Sequence, residues 1–169
     1  MVPVTNGSQL RVALESTGDT VTKFLEQLVG ECIDAHVHHH EIVRATNSND
    51  LGVADGEPLL QRAATLRGRV SGSSFVYAES TIVTGRLPTS FSLRLASGND
   101  PIGRILDEME IEVTREDPIE PRETAVPRSD EAVMFGNYLL TRTYRIASEQ
   151  APLMIITEWF LEPLRPFLS

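Results

Sequence analysis

The sequence predicts an α+β fold, in which an antiparallel sheet of about six strands has helices packed on it. Two observations predict this class. Segments rich in β-branched and aromatic residues occur in pairs joined by short turns, as in hairpins, and the segments with helical spacing are grouped early and in the middle of the chain. The 169 residues, 41% of them hydrophobic, are enough for one domain of ordinary size.

The first element that the sequence predicts clearly is a helix from Thr20 to Val29. Residues 1–17 lack sustained periodicity, so we interpret them as a flexible arm and expect a single domain over residues 18–169. Asp19 or Thr20 can cap the helix, and Gly30 suits a left-handed exit. Four apolar residues follow the spacing of one helix face, namely Val21, Phe24, Leu25 and Leu28.

Extended chain is predicted after this helix. Apolar residues alternate with polar ones from Ile33 to His38, which is typical of a half-buried strand. The segments 59–70 and 75–83 are joined by a Ser-Gly-Ser-Ser turn and predict an antiparallel hairpin. The residues 47–58 between these strands are rich in Gly, Pro and Asx, and predict a loop that could cover a site.

Two short helices and three more strands complete the prediction. Pro88 suits the start of one helix, and Pro101 suits the first turn of the other, with Asn99 or Asp100 as its cap. The segment from Glu116 to Glu131 predicts a long loop or flap. The strands are expected around Ile111 to Val113, from 138 to 147 and from 152 to 160.

The charge pattern excludes some classes of partner. The net charge is −9, and no cluster of Lys or Arg is long enough to follow a phosphate backbone, so we expect no nucleic acid partner. No apolar run is long enough for a membrane span, and the first residues do not resemble a secretory signal, so we expect a cytoplasmic protein. Individual arginines can still bind a small anion, because a guanidinium fits a carboxylate with two hydrogen bonds.

A run of histidines stands out, although it does not predict a metal site. His36, His38 and His40 would share one face of a strand beside His39 and Glu41. The remaining sequence contains no other histidine and no cysteine pair that would complete a zinc site, so we interpret the run as a solvated strand edge. Motifs of nucleophilic or nucleotide-dependent enzymes are missing as well.

Ionisable residues inside apolar strands are the better candidates for a site. Arg62, Glu79 and Glu158 each lie within a strongly apolar or β-forming segment, where burial without a partner is costly. If Glu158 points inward, either it pairs with an arginine such as Arg62 or Arg142, or burial raises its pKa. If the alternation places it on the solvent face, it has no special role. An inward arginine and glutamate together would suit an anionic, hydroxylated small molecule.

Several blocks of the chain resemble the chorismate pyruvate-lyase family, in particular its bacterial and archaeal branch. The resemblance covers roughly residues 18–161. It rests on Gly-Asp-Thr-Val-Thr-Lys-Phe-Leu at 18–25, Phe-Val-Tyr-Ala-Glu-Ser-Thr-Ile-Val at 75–83, Arg-Leu-Pro at 86–88, Asn-Asp-Pro-Ile-Gly-Arg-Ile-Leu at 99–106, Thr-Arg-Thr-Tyr-Arg-Ile at 141–146 and Ile-Ile-Thr-Glu-Trp-Phe-Leu at 155–161.

The resemblance implies flaps over an internal pocket and the conversion of chorismate to 4-hydroxybenzoate and pyruvate without a cofactor. It implies that Arg62 binds the ring carboxylate, that Glu158 contacts the ring hydroxyl, and that a backbone N–H of Pro101-Ile102-Gly103 also meets the carboxylate. Glu79 and Arg142 take supporting roles in this site. We expect a monomer or a homodimer. Two alternatives stay open: a non-catalytic sensor or carrier of an aromatic carboxylate, and a related enzyme of specialised metabolism that acts on another acid.

Overall fold

The computed structural model describes residues 6–17, 20–46, 51–116, 138–149 and 151–168. A six-stranded sheet, antiparallel throughout, has the order β1-β2-β3-β6-β5-β4. This arrangement confirms the predicted α+β class. The strands are β1 (Ile33–Arg44), β2 (Pro58–Gly68), β3 (Ser74–Ile82), β4 (Thr114–Glu116), β5 (Tyr138–Ser148) and β6 (Ala151–Leu161). The helices are α1 (Asn6–Ser16), α2 (Val21–Val29), α3 (Thr89–Ser97) and α4 (Ile102–Glu108).

Helix α1 corrects the expectation of a flexible arm at the start of the chain. Leu10 and Leu14 lie one helical turn apart, and both are buried in the same core cluster as residues of α2, β2 and β6. The weak alternation of Leu10, Val12 and Leu14 hid this helix, because only the two leucines belong to its buried face while Val12 is exposed. The burial of these two leucines stabilises a helix that the local spacing of apolar residues does not predict.

Helix α2 begins and ends as its sequence predicts. Thr20 is the N-cap, and its side-chain oxygen accepts a hydrogen bond from the backbone N–H of Lys23 at 3.3 Å. Gly30 ends the helix in the left-handed region, with φ of 76°, and its N–H donates to the carbonyl of Glu26. The apolar face of α2 packs against the core cluster that also contains Leu25, Ile33 and Phe160.

The start of α4 differs from its prediction. Pro101, rather than Asn99 or Asp100, occupies the N-cap position, and no side chain caps this helix. The Asp100 carboxylate instead lies 3.0 Å from Nη2 of Arg94 and 3.6 Å from Nη1 of Arg104. Backbone contacts also hold the preceding turn, because the Asn99 carbonyl accepts a hydrogen bond from the N–H of Ala35 at 2.8 Å. The beginning of α4 is therefore held by ion pairs with α3 and within α4 and by a backbone hydrogen bond to β1.

The register of the hairpins decides which side chains share a face of the sheet. Arg62 of β2 lies opposite Ser80 of β3, and Ser80 lies opposite Ile156 of β6. In the next row, Ala78 of β3 lies opposite Glu158 of β6. Residues two apart on a strand point to the same side, so these two rows form one continuous surface. The predicted flap at 116–131 lies almost entirely outside the described residues.

No described helix is long and apolar enough to cross a membrane.

Candidate active site

A cavity of about 350 Å³ lies on the face of the sheet that these two rows form. Its floor is made of small side chains, Ala64, Ala78 and Ser80, which leave space above the middle of the sheet. Residues 20–22 at the start of α2 and residues 101–103 at the start of α4 line it from the helix side. The remaining lining is mostly apolar and includes Leu66, Leu106, Val113, Ile146 and Ile156. An apolar chamber with a few polar groups is typical of a small-molecule site.

Arg62 projects into this cavity from β2 and is 4% exposed. Its Nη2 donates a hydrogen bond to the backbone carbonyl of Asp100 at 3.1 Å, and its Nε has no partner among the described residues. Burial lowers the pKa of Arg62 to about 10, and the charge of Asp100 opposes this effect only in part. A buried guanidinium with free N–H groups is prepared to receive an anion.

Glu158 faces the same cavity from β6 and is 1% exposed. Its Oε1 accepts a hydrogen bond from Nε of Arg142 at 2.7 Å, and its Oε2 accepts one from the hydroxyl of Tyr144 at 2.9 Å. The sequence left open whether this carboxyl group pairs with an arginine or faces solvent. The structure shows that it is buried and that its ion-pair partner is Arg142.

Arg142 and Tyr144 both come from β5 and hold the carboxylate of Glu158 in one orientation. Burial alone would lower the pKa of Arg142, but Glu158 and Tyr144 together outweigh this effect and raise it. Burial and the charge of Glu158 raise the pKa of Tyr144 well above its ordinary value, so this hydroxyl remains a donor. The guanidinium carbon of Arg142 also lies 4.6 Å from the centre of the Tyr144 ring, within cation–π distance.

Ile102 and Gly103 line the cavity at the start of α4. Gly103 also permits close packing of α4 on α2. A Cβ atom at this position would lie 2.8 Å from Cβ of Thr20 and 3.0 Å from Oγ1 of Thr22. The absence of a side chain therefore brings the starts of the two helices to the same wall of the cavity.

Glu79 does not belong to this cavity, which corrects its expected role in substrate binding. It alternates with Ala78 and Ser80 on β3 and consequently points to the opposite face of the sheet. There Oε2 of Glu79 accepts a hydrogen bond from the hydroxyl of Tyr77 at 2.8 Å. Arg142 contacts Glu158 and is absent from the described lining of the cavity.

The histidine run lies on β1, and the predicted shared face of His36, His38 and His40 is interrupted. The pairing of β1 with β2 shifts register between Val37 and His39, so a bulge at His38 changes the direction of the side chains that follow. Nε2 of His38 lies 2.6 Å from Oγ1 of Thr65. Across the described parts of the chain, no three His, Cys, Asp or Glu side chains are grouped in a way that could hold a metal ion.

Sequence reasoning missed three groups in the lining, which are Tyr144, Arg115 and the threonines of the first turn of α2. Tyr144 could have been found, because it lies two residues after Arg142 and so shares its face of β5. Arg115 could not have been found in this way, because β4 is short and its pairing with β5 is not visible in the local sequence pattern.

The sheet and its helices form an architecture that is also found in solved structures. PhnF from Mycobacterium smegmatis has a similar fold, with a TM-score of 0.60 and 14% identity over 88% of this chain and 66% of that one. The effector domain of PhnF gives a TM-score of 0.56 and 15% identity over 86% of this chain and 90% of that domain. At these identities the likeness concerns the fold alone.

The sequence relationship is more specific. The family model described as "Chorismate pyruvate-lyase Rv2949c-like" matches residues 16–168, and the chain belongs to this family. A chorismate pyruvate-lyase of Mycobacterium leprae is 32% identical over 165 residues, which cover 88% of this chain and 72% of the relative. One from Mycobacterium tuberculosis strain H37Rv is 28% identical over 162 residues, covering 90% of this chain and 79% of the relative.

Proposed function

We propose that this protein is a chorismate pyruvate-lyase that eliminates pyruvate from chorismate and leaves 4-hydroxybenzoate. The observation that carries this proposal is the presence of a buried guanidinium, Arg62, and a buried carboxylate, Glu158, in one mostly apolar cavity. Family membership supports the same reaction, because the curated relatives are named for it.

The positions of the two charged groups suit the para arrangement of the substrate. Arg62 lies on β2 and Glu158 on β6, with β3 between them and an offset of two residues along the strands, so their backbones are about 12 Å apart at a strand spacing near 4.8 Å and a rise near 3.3 Å per residue. We propose that a six-membered ring with a carboxylate at one end and a hydroxyl at the other lies between these two side chains in the cavity that both of them line. The small residues Ala64, Ala78 and Ser80 leave room for the ring itself.

Arg62 is the group that we propose to bind the ring carboxylate. Its free N–H groups can form a charge-assisted pair with this carboxylate. The starts of α2 and α4 line the cavity as well, and backbone N–H groups in a first helical turn lack partners within the helix. The N–H of Ile102 or Gly103 can then complete the carboxylate site, as the family resemblance implies.

Glu158 is the group that we propose to bind the ring hydroxyl. Arg142 and Tyr144 each occupy one of its oxygens, and a carboxylate has about four acceptor positions, so capacity remains for a substrate hydroxyl. In the reaction the C4 proton leaves the ring, the electron pair of that C–H bond forms the third ring double bond between C3 and C4, and the ether bond at C3 breaks with its electron pair on the departing enolpyruvate. The released enolpyruvate takes up a proton to give pyruvate.

Since aromatisation drives this step, the protein has chiefly to hold the substrate in a reactive geometry. Positioning of this kind contributes about 7–11 kcal/mol to lowering a barrier. Arg142 and Tyr144 fix the orientation of Glu158, and the apolar walls keep water from the reacting bonds.

A coupled assay for pyruvate with purified protein and chorismate tests the proposal. We expect Arg62→Ala mainly to raise KM and Glu158→Gln mainly to lower kcat. Glu79→Gln is the matched control, because this glutamate lies on the neighbouring strand but on the opposite face of the sheet. No pyruvate from the wild-type protein, or equal small effects of all three substitutions, would overturn the assignment.

A further inference from the structure

A second arginine reaches the same cavity from β4, the strand at one edge of the sheet. Arg115 lies on β4 and lines the cavity, whereas Arg62 lies on β2, with β3, β6 and β5 between the two strands. Arg62 is buried and Arg115 is exposed, so the cavity has one cation in its interior and another at its border with solvent.

The guanidinium of Arg115 is only partly occupied. Its Nη2 donates hydrogen bonds to the backbone carbonyls of Thr17 at 3.1 Å and Leu14 at 3.4 Å, at the end of α1. Within the described ranges, Nε and Nη1 make no hydrogen bond and no acidic side chain pairs with this arginine. Two of its nitrogens therefore have N–H groups available for an anion.

The place of Arg115 relative to Glu158 indicates which anion this is. Its guanidinium carbon lies 5.9 Å from the centre of the Tyr144 ring, and the hydroxyl of Tyr144 donates to Glu158. Arg115 thus lies beyond Glu158 when viewed from Arg62. Chorismate carries its second carboxylate on the enolpyruvyl ether at C3, next to the C4 hydroxyl. When the ring carboxylate binds Arg62 and the hydroxyl binds Glu158, this side chain extends from the ring atom beside Glu158.

We propose that Arg115 binds the enolpyruvyl carboxylate of the substrate and so makes the site specific for a dicarboxylate. This inference rests on the proposed function. As the ether bond breaks, negative charge develops on the departing enolpyruvate, and a guanidinium at its carboxylate stabilises that fragment. The product 4-hydroxybenzoate has no such group, and its binding does not involve Arg115.

The difference between substrate and product provides the test. Arg115→Gln keeps a side-chain donor for the carbonyls of Leu14 and Thr17 but removes the charge. We expect kcat/KM for chorismate to fall about 10- to 100-fold, as for the loss of a charge-assisted hydrogen bond, and Kd for 4-hydroxybenzoate to change less than about twofold. Arg115→Lys should recover part of the lost kcat/KM. Arg44→Gln is the matched control, since Arg44 is an exposed strand arginine that donates to the carbonyl of Gly56.

The outcomes separate this inference from the proposed function. An unchanged kcat/KM in Arg115→Gln would overturn the role of Arg115. Equal losses of affinity for substrate and product would overturn it as well, because they would show that Arg115 only supports the fold. Pyruvate release by the wild-type protein tests the proposed function independently. If the wild type binds chorismate without releasing pyruvate, the proposed function fails, and the ratio of the chorismate and 4-hydroxybenzoate Kd values in Arg115→Gln then decides the inference.

Discussion

Arg142 and Glu158 lie directly opposite each other on β5 and β6, and Nε of Arg142 donates to Oε1 of Glu158 at 2.7 Å. Both side chains are largely removed from solvent, with exposures of 11% and 1%. The pair holds the Glu158 carboxyl group in one orientation in the wall of the cavity, and this orientation follows from the register of two strands.

Removal of one member of this pair should cost more stability than removal of both. We expect Arg142→Met to lower the free energy of unfolding by about 3–5 kcal/mol, because it leaves a buried carboxylate without its cation. The double variant Arg142→Met with Glu158→Leu should recover most of the loss. Urea unfolding of the two single variants and the double variant measures the coupling between them. Additive losses would show that the pair does not act as a unit.

Tyr144→Phe should slow turnover more than it weakens substrate binding. The substitution removes the donor to Oε2 of Glu158 and lets the carboxylate rotate, so we expect kcat to fall about tenfold with a smaller change in KM. Tyr77→Phe is the matched control, because its hydroxyl donates to Glu79 on the other face of the sheet. Steady-state kinetics of both variants measures the difference. A similar loss of kcat in the control would attribute the effect to the sheet as a whole.

Arg62→Met should stabilise the protein without ligand while it abolishes binding of carboxylates. The buried guanidinium has an unpartnered Nε, and its replacement by an apolar side chain of similar length removes the cost of burying the charge. By analogy with other buried charged groups, the gain is about 1–4 kcal/mol. Thermal unfolding should show a higher Tm, and titration with 4-hydroxybenzoate should show no binding. A lower Tm would indicate that Arg62 contributes to the fold through its contact with the Asp100 carbonyl.

Binding of an aromatic carboxylate should weaken in alkaline solution. Because burial lowers the pKa of Arg62 to about 10, this guanidinium loses its proton in a range where an exposed arginine stays charged. A bound carboxylate favours the charged form of Arg62 and raises its pKa. The affinity for the carboxylate is therefore highest well below pH 10 and falls as the pH rises through 10. Benzoate is a suitable probe, since it has no phenol that titrates in this range.

The slope with pH gives a direct check. We expect Kd for benzoate to rise roughly tenfold per pH unit above about pH 10. In Arg62→Lys the decline should begin at lower pH, because burial of a lysine lowers an already lower pKa. Circular dichroism at each pH confirms that the protein remains folded. A Kd that is constant up to about pH 11 would exclude Arg62 as the cation that binds the ligand.

Gly103→Ala should widen the space between α2 and α4. The new Cβ would lie 2.8 Å from Cβ of Thr20, so one helix has to move, at a cost of about 1–3 kcal/mol. We also expect weaker binding of 4-hydroxybenzoate, because both helix starts line the cavity. Gly98→Ala is the control, since its nearest contacts lie at 3.7 Å or more. Equal stability of the two variants would contradict this account.

The sequence predicted those parts of the fold that have a strong local signal. The apolar face, cap and final glycine of α2 are consecutive features, strand β3 is rich in β-branched and aromatic residues, and a Gly-containing turn joins it to β2. Helix α1 was not predicted because only two buried leucines, Leu10 and Leu14, mark its apolar face. The predicted N-cap of α4 was wrong because the Asp100 carboxylate pairs with Arg94 and Arg104, and a capping residue and an ion-pair partner look the same in the sequence.

The candidate site also contains residues that a local signal identifies and residues whose position depends on long-range packing. Arg62 and Glu158 were chosen as candidates because charged residues inside apolar strands require a partner or a ligand, and both line one cavity in the structure. Glu79 has the same local signature, yet it lies on the opposite face of the sheet. Alternation within β3 shows only that it differs from its neighbours, and the face that is covered depends on long-range packing. Arg115 was missed because a three-residue strand has too few residues to show a period.

Substitutions of the two alanines under the cavity can change the range of ligands that this protein binds. Ala64 and Ala78 are partners on adjacent strands, and neither carries a functional group. One added methylene at either residue would make the chamber shallower above a rigid support, and a glycine would deepen it. Ring substituents could thus be admitted or rejected through volume alone, while every charged residue stays in place.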